Sequence, residues 1–140
     1  MLDPIFDRRW RGHIARDKSE FLELAENERS CALFIDESGE SIGRYNEEMV
    51  WLATRARHYG HNSHFICQRA SMLNRTVREQ CELLCLFRVS EKDAKMMAED
   101  WAQPALMEAA NLNKGEFIYA PRFGDAKRLN AFGARLRAVA

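Results

Sequence analysis

Short apolar runs and amphipathic stretches alternate along this chain. The sharpest run is Cys31-Ala32-Leu33-Phe34-Ile35, preceded by Asn27-Glu28-Arg29 and closed by Asp36-Glu37 and Ser38-Gly39. An uninterrupted apolar run of that length reads as a strand buried on both faces, the kind found inside a parallel sheet. Before it, Ser19 is placed to cap a short helix carrying Phe21, Leu22, Leu24 and Ala25 and ending near Asn27. After it, residues 38–45 read as a loop. Asn46 then caps a helix with Glu47 and Glu48 in its first turn, an apolar stripe of Met49, Val50, Leu52, Ala53 and Ala56, and Gly60 as its stop. His64-Phe65-Ile66-Cys67-Gln68 reads as a second strand ending on an amide, 76–81 as a brief helix and 83–89 as a third strand. Ser90, with Asp93 three positions on, caps the next helix. Pro104 breaks it, and the helix resumes over 105–112. Residues 115–120 give a fourth strand, and the tail from 125 to 140 is helical in period. Met1-Leu2-Asp3-Pro4 reads as the last residues of a strand entering a turn. Strands alternating with helices imply an α/β class with a parallel sheet and flanking helices, in a single domain over 1–140.

Composition adds limits rather than direction. Lysine plus arginine equals aspartate plus glutamate, 21 of each in 140 residues, so no overall charge imbalance points to nucleic acid or a membrane surface. The arginines cluster at 8–16, 55–57, 69–78 and 122–137, which leaves room for local basic patches. No apolar stretch reaches spanning length. The four cysteines, at 31, 67, 81 and 85, lie in or beside apolar segments without a CxxC pair, and read as reduced residues of a cytoplasmic protein. His58, His61, His64 and Cys67 recur at every third position, and all are zinc-ligand types. Gly60 and Asn62 interrupt the helix between them, however, and His64 and Cys67 fall on opposite faces of a strand, so convergence of four ligands would distort both elements.

The chemistry-bearing residues are Asp36 and Glu37. Acidic residues at the carboxyl end of a buried strand project into the crevice where open α/β sheets bind ligands. Asp followed by Glu there is the Walker B pattern, in which the aspartate holds a water on Mg²⁺ and the glutamate polarises the water attacking a phosphoryl group. The alternative reading is a buried strand whose first loop residues are acidic.

Four blocks in order carry a family resemblance: Ala-Leu-Phe-Ile-Asp-Glu, Ala-Thr-Arg-Ala-Arg-His-Tyr-Gly, His-Phe-Ile-Cys-Gln-Arg-Ala-Ser and Cys-Leu-Phe-Arg-Val-Ser-Glu-Lys-Asp-Ala-Lys, between 31 and 95. Together they resemble the second half of a FtsK/HerA-type P-loop ATPase, a superfamily of ring-forming motors that move DNA and include viral packaging ATPases. The resemblance covers about half the chain. It implies a partial RecA/ASCE-like P-loop core, ATP and Mg²⁺ as cofactors, and DNA and a homo-oligomeric ring or an intact homologue as partners, in the cytoplasm of a bacterial or phage-infected cell. Residue by residue, it implies Asp36 as the Mg²⁺-associated acid, Glu37 as the catalytic base and Gln68 as the polar sensor of the γ-phosphate or attacking water. Arg57 matches the arginine presented to a neighbouring subunit's nucleotide, a role needing a permanent charge on a planar fork. The departure is the Walker A loop: no Gly-x-x-x-x-Gly-Lys-Ser/Thr occurs among the 140 residues. The chain thus reads either as a truncated frame or as a degenerate paralogue, a catalytically silent assembly or DNA-binding subunit. The family's sheet further implies that 31–36 and 64–68 are parallel neighbours joined by a right-handed connection. The slot of the absent Walker A strand should be closed by 83–89 moving beside 64–68, or be filled by another chain.

Overall fold

The computed structural model describes residues 12–15, 17–36, 50–132 and 137–138. The chain divides into two compact units, Met1–Gln80 and Cys81–Ala140. The expected strand at 1–4, the loop at 38–45 and the Asn46 cap lie outside the described residues.

In the first unit, helix α1 (Lys18–Asn27) is capped by Asp17, whose carboxylate accepts the Glu20 N–H at 3.0 Å. Ser19, expected at the cap, lies inside the helix. Aspartate supplies the same acceptor with a charge that also suits the helix N-terminus, and it wins the position. Phe21 and Ala25, four apart, are the buried face. Strand β1 (Ala32–Ile35) and strand β2 (Asn62–Phe65) pair in parallel, Ala32 opposite Asn62 through Ile35 opposite Phe65. Between them stand a helical turn α2 (Trp51–Thr54) and a 3₁₀ turn (Ala56–Tyr59), stopped by Gly60 in the left-handed region at φ 78°. A further 3₁₀ turn (Ala70–Met72) and helix α3 (Arg75–Gln80) complete the unit.

Burial of β1 alternates: Leu33 and Ile35 are buried, Ala32 is exposed and Phe34 half-buried. The expectation of a strand buried on both faces is therefore corrected. Among the described residues the parallel sheet has two strands, and one face of β1 packs while the other is only partly covered. The second strand also begins earlier than its sequence signal, at Asn62, so that Gln68 stands beyond its end instead of in it.

The second unit departs from the parallel class. Strand β3 (Leu83–Phe87) leads a four-stranded sheet in the order β3-β4-β5-β6, with β4 (Glu116–Pro121), β5 (Lys127–Asn130) and β6 (Arg137–Ala138), and every pairing in it is antiparallel. Among the described strands β2 pairs only with β1, so 83–89 does not close the slot beside it. The cause lies between β3 and β4. One helix between two strands returns the chain and makes them parallel. Here helix α4 (Glu91–Trp101) stops at Ala102 in the left-handed region, φ 51°, and a 3₁₀ helix (Pro104–Asn111) packs back against it. That second reversal turns β4 antiparallel to β3. The tail, expected to be helical, supplies β5 and β6 instead. Leu129 sits opposite Phe117 on β4, and ladder pairing with an apolar neighbour outweighs a helical period in an arginine-rich segment.

Other local signals hold. Ser90 caps α4, its Oγ accepting the Asp93 N–H at 3.1 Å and donating to the Asp93 carboxylate at 2.9 Å. Ala94, Met97 and Trp101 are the buried apolar face of α4, which packs on the 3₁₀ helix, where Leu106 and Ala109 are buried; Leu112, Ile118 and Ala120 are buried as well.

Candidate functional site

The parallel pair β1–β2 builds the candidate site. Ile66 N–H donates to the Ile35 carbonyl at 2.9 Å, carrying the ladder one step past both strand ends. Asp36 follows directly, half-buried, at the carboxyl end of β1. In the same register the segment Ile66-Cys67-Gln68 leaves β2 at the same edge, with Gln68 exposed. The edge therefore carries a carboxylate, an anionic oxygen donor suited to a hard, hydrated cation, and the chain leaving it reaches an amide, able to donate and accept at once, two residues past the last ladder bond. Glu37 lies outside the described residues.

Arg57 is placed elsewhere. It is exposed on the 3₁₀ turn ahead of β2. That turn is fixed to the amino end of β1, since Ser30 N–H donates to the Tyr59 carbonyl at 3.0 Å. The stretch from Asn62 to Phe65 alone spans about 10 Å at 3.3 Å per residue. An arginine side chain does not cover that span plus the residues on either side of it. Arg57 and Asp36 thus stand at opposite ends of the pair, and Arg57 cannot serve a ligand held by Asp36 of its own chain.

A buried histidine fixes the amino end of the strand pair, opposite the edge that carries Asp36. His61 is 6% exposed. Its Nδ1 accepts the Cys31 N–H at 3.1 Å and its Nε2 lies 2.8 Å from the Ala25 carbonyl. One partner is a donor and the other an acceptor, which puts the ring proton on Nε2. Ala25 lies in the last turn of α1, where carbonyls lack helical partners. Cys31 opens β1, and its carbonyl accepts the Asn62 N–H at 2.9 Å. One imidazole thus ties the end of α1 to the start of both strands. With both ring nitrogens so committed, His61 is not a metal ligand. His64 stacks flat on Phe34, centroids 4.4 Å apart at 7°, while His58 is exposed. The only available signal for His61 was a histidine between a helix stop and a strand, and it does not say which carbonyl the ring will meet.

The basic cluster also divides. Arg55, Arg57, Arg69 and Arg75 are exposed. Arg78 is 9% exposed, and its Nη1 donates to the carbonyls of Leu73 and Ala70, closing the 3₁₀ turn instead of facing solvent. A cavity of about 320 Å³ lies between α1 and β1, lined largely by apolar groups such as Phe21, Leu24, Leu33 and Phe34. Neither Asp36 nor Gln68 lines it.

No protein-family model and no curated protein sequence matches the chain. Solved structures do. The chain is similar to the genome packaging NTPase B204 from Sulfolobus turreted icosahedral virus 2 in complex with ATP-gammaS, with a TM-score of 0.69 at 18% identity over 88% of this chain and 63% of that one. The AMPPCP complex of the same NTPase gives 0.70 at 16% identity over 82% of this chain and 64% of that one. B204 of Sulfolobus Turreted Icosahedral Virus, described as its DNA-packaging ATPase, gives 0.63 at 19% identity over 77% and 60%. At these identities the likeness is one of fold. The chain spans about three-fifths of the length of the structures it matches. Among the described residues no helix is long and apolar enough to cross a membrane.

Proposed function

We propose that this chain is the Walker B and sensor portion of an ATP-driven, DNA-packaging motor of the FtsK/HerA type. The observation that carries the reading is the parallel register of β1 and β2, which brings Asp36 and the segment ending in Gln68 to one carboxyl edge. The fold likeness to packaging NTPases solved with ATP analogues supports it.

Asp36 is the residue to hold a metal-bound water, its carboxylate matching the oxygen preference of Mg²⁺. When bound, Mg²⁺ neutralises charge on the phosphates of ATP. Glu37, the next residue, takes a proton from the attacking water. The Gln68 amide orients that water or the γ-phosphate. Arg57, at the far end of the strand pair, acts on the nucleotide of an adjacent subunit, which fits a ring in which each subunit completes its neighbour's site. The motor so built would work on DNA in the cytoplasm of a bacterial or phage-infected cell.

The test is turnover in the assembled motor, with the phosphate-binding segment present. Glu37→Gln lowers ATP turnover by about 10²–10⁴-fold with nucleotide binding near normal, since the base is lost and the phosphate contacts stay. Turnover within about twofold of wild type would sink the role of Glu37. The second reading is a catalytically silent assembly or DNA-binding subunit docking on an intact homologue. A variant chain that enters the motor and leaves its turnover unchanged supports that second reading over the first.

A further inference from the structure

Gln68 stands midway between two fixed points of the backbone, each two residues away. On one side, Ile66 N–H donates to the Ile35 carbonyl at 2.9 Å, next to Asp36. On the other, the Ala70 carbonyl accepts twice. It takes the Leu73 N–H at 3.1 Å, which closes the 3₁₀ turn, and Arg78 Nη1 at 3.3 Å. The first point is set by the strand pair. The second is set by a side chain, because the same Nη1 also donates to the Leu73 carbonyl and so spans the turn from end to end. The two hydrogens of one guanidinium nitrogen suffice for both carbonyls. Such charge-assisted bonds are stronger than neutral ones, whereas the turn's own bonds have the poorer 3₁₀ geometry.

The base from which Arg78 reaches is itself fixed. Asn74 Oδ1 accepts the Thr76 N–H at 2.8 Å, and the Asn74 carbonyl accepts the Arg78 N–H at 3.1 Å, which ties the start of α3 to the end of the turn. Val77 is fully buried, and α3 packs against α2. We propose that Arg78 is a positioning residue for Gln68, holding the far end of 67–69 so that the amide can orient the attacking water or the γ-phosphate. This inference rests on the Walker B and sensor reading given above. Without the guanidinium the turn is held less firmly, and Gln68 moves with it. A displacement of about 1 Å at an orienting group costs up to about 10²-fold in rate. Affinity for ATP is spared, because other residues hold the phosphates.

The experiment is a double-mutant cycle in the assembled motor, with the phosphate-binding segment present. Arg78→Met removes both side-chain bonds. Arg78→Lys keeps the stem and the charge but ends one bond short of Nη1, and it serves if the methionine variant does not fold. Either variant is expected to lower kcat about tenfold with KM for ATP within about twofold, and to speed exchange of the Met72 and Leu73 amides. Gln68→Ala alone is expected to lower kcat about 10²-fold. In the Gln68→Ala background the Arg78 substitutions should change kcat by less than about twofold, since the group that Arg78 positions is gone. A purely structural role would cost the same factor in both backgrounds, and that result overturns the proposal. An unchanged kcat in the Arg78 variants beside a lowered one in Gln68→Ala also overturns it, while the sensor reading stands. Full turnover in both Glu37→Gln and Gln68→Ala would sink the reading itself, and the inference with it.

Discussion

Replacing His61 by phenylalanine keeps a flat ring in the same pocket and removes both of its hydrogen bonds. The Cys31 N–H and the Ala25 carbonyl are then left facing an apolar edge where only 6% of the residue's surface is open to solvent. Each buried polar group deprived of its partner costs about 1–3 kcal/mol. The carbonyl has a second lone pair and lies at a helix end, so the lower half of that range suits it. Together the loss is about 2–5 kcal/mol. Domains are stable by roughly 0.05–0.15 kcal/mol per residue, so this is a large share of what the first unit holds. The measurement is urea unfolding followed by far-ultraviolet circular dichroism. With an m-value of about 1–3 kcal/mol per molar, the midpoint should fall by roughly 1–2 M while the slope stays constant. A loss under about 0.5 kcal/mol would refute the reasoning, since it would mean that water or a local shift replaces both bonds. Exchange of the Cys31 amide provides a second readout and should accelerate in the variant ahead of global unfolding.

Three further outcomes are expected. Gly60→Ala should lose about 1–2 kcal/mol from the left-handed backbone alone, more if Ser30 Oγ, only 2.8 Å from the new Cβ, fails to turn away; an unchanged melting curve would contradict this. Hydrogen bonds from Arg128 and then from the Asn113 N–H hold the Glu116 carboxyl below its ordinary range, so this stabilisation is present above that range and lost as pH falls through the lowered value. Glu116→Gln should flatten that acid limb of a stability–pH profile, and an identical limb in both proteins would show that the pair contributes nothing. Finally, on the proposed reading the 140-residue chain alone should bind Mg–ATP weakly or not at all, because Asp36 and Glu37 would only organise metal and water around phosphates held by something else; micromolar affinity in a calorimetric titration would reverse that view.

What the sequence determined by itself was local. The apolar run ending at Ile35, the Ser90–Asp93 cap, the stop at Gly60 and the break at Pro104 are all present, because each depends on residues within a turn of one another. The parallel pairing of β1 with β2 was also legible, through the family resemblance of the two strand ends and the helix between them. Tertiary structure decided the rest. The Pro104 break was visible, but the reversal it imposes, which makes β4 antiparallel to β3, depends on the 3₁₀ helix packing back on α4. The tail supplied β5 and β6 because β4 offered an open ladder to β5, and β5 to β6, and that pairing outweighed the helical preference of its alanines, leucines and arginines. In the sequence His61 was one of four zinc-ligand types and Arg78 one of a cluster of arginines. Both became hydrogen-bond donors to backbone carbonyls that the fold had buried nearby. A side chain's identity states which bonds it can make, and only the packed chain supplies the groups it must satisfy.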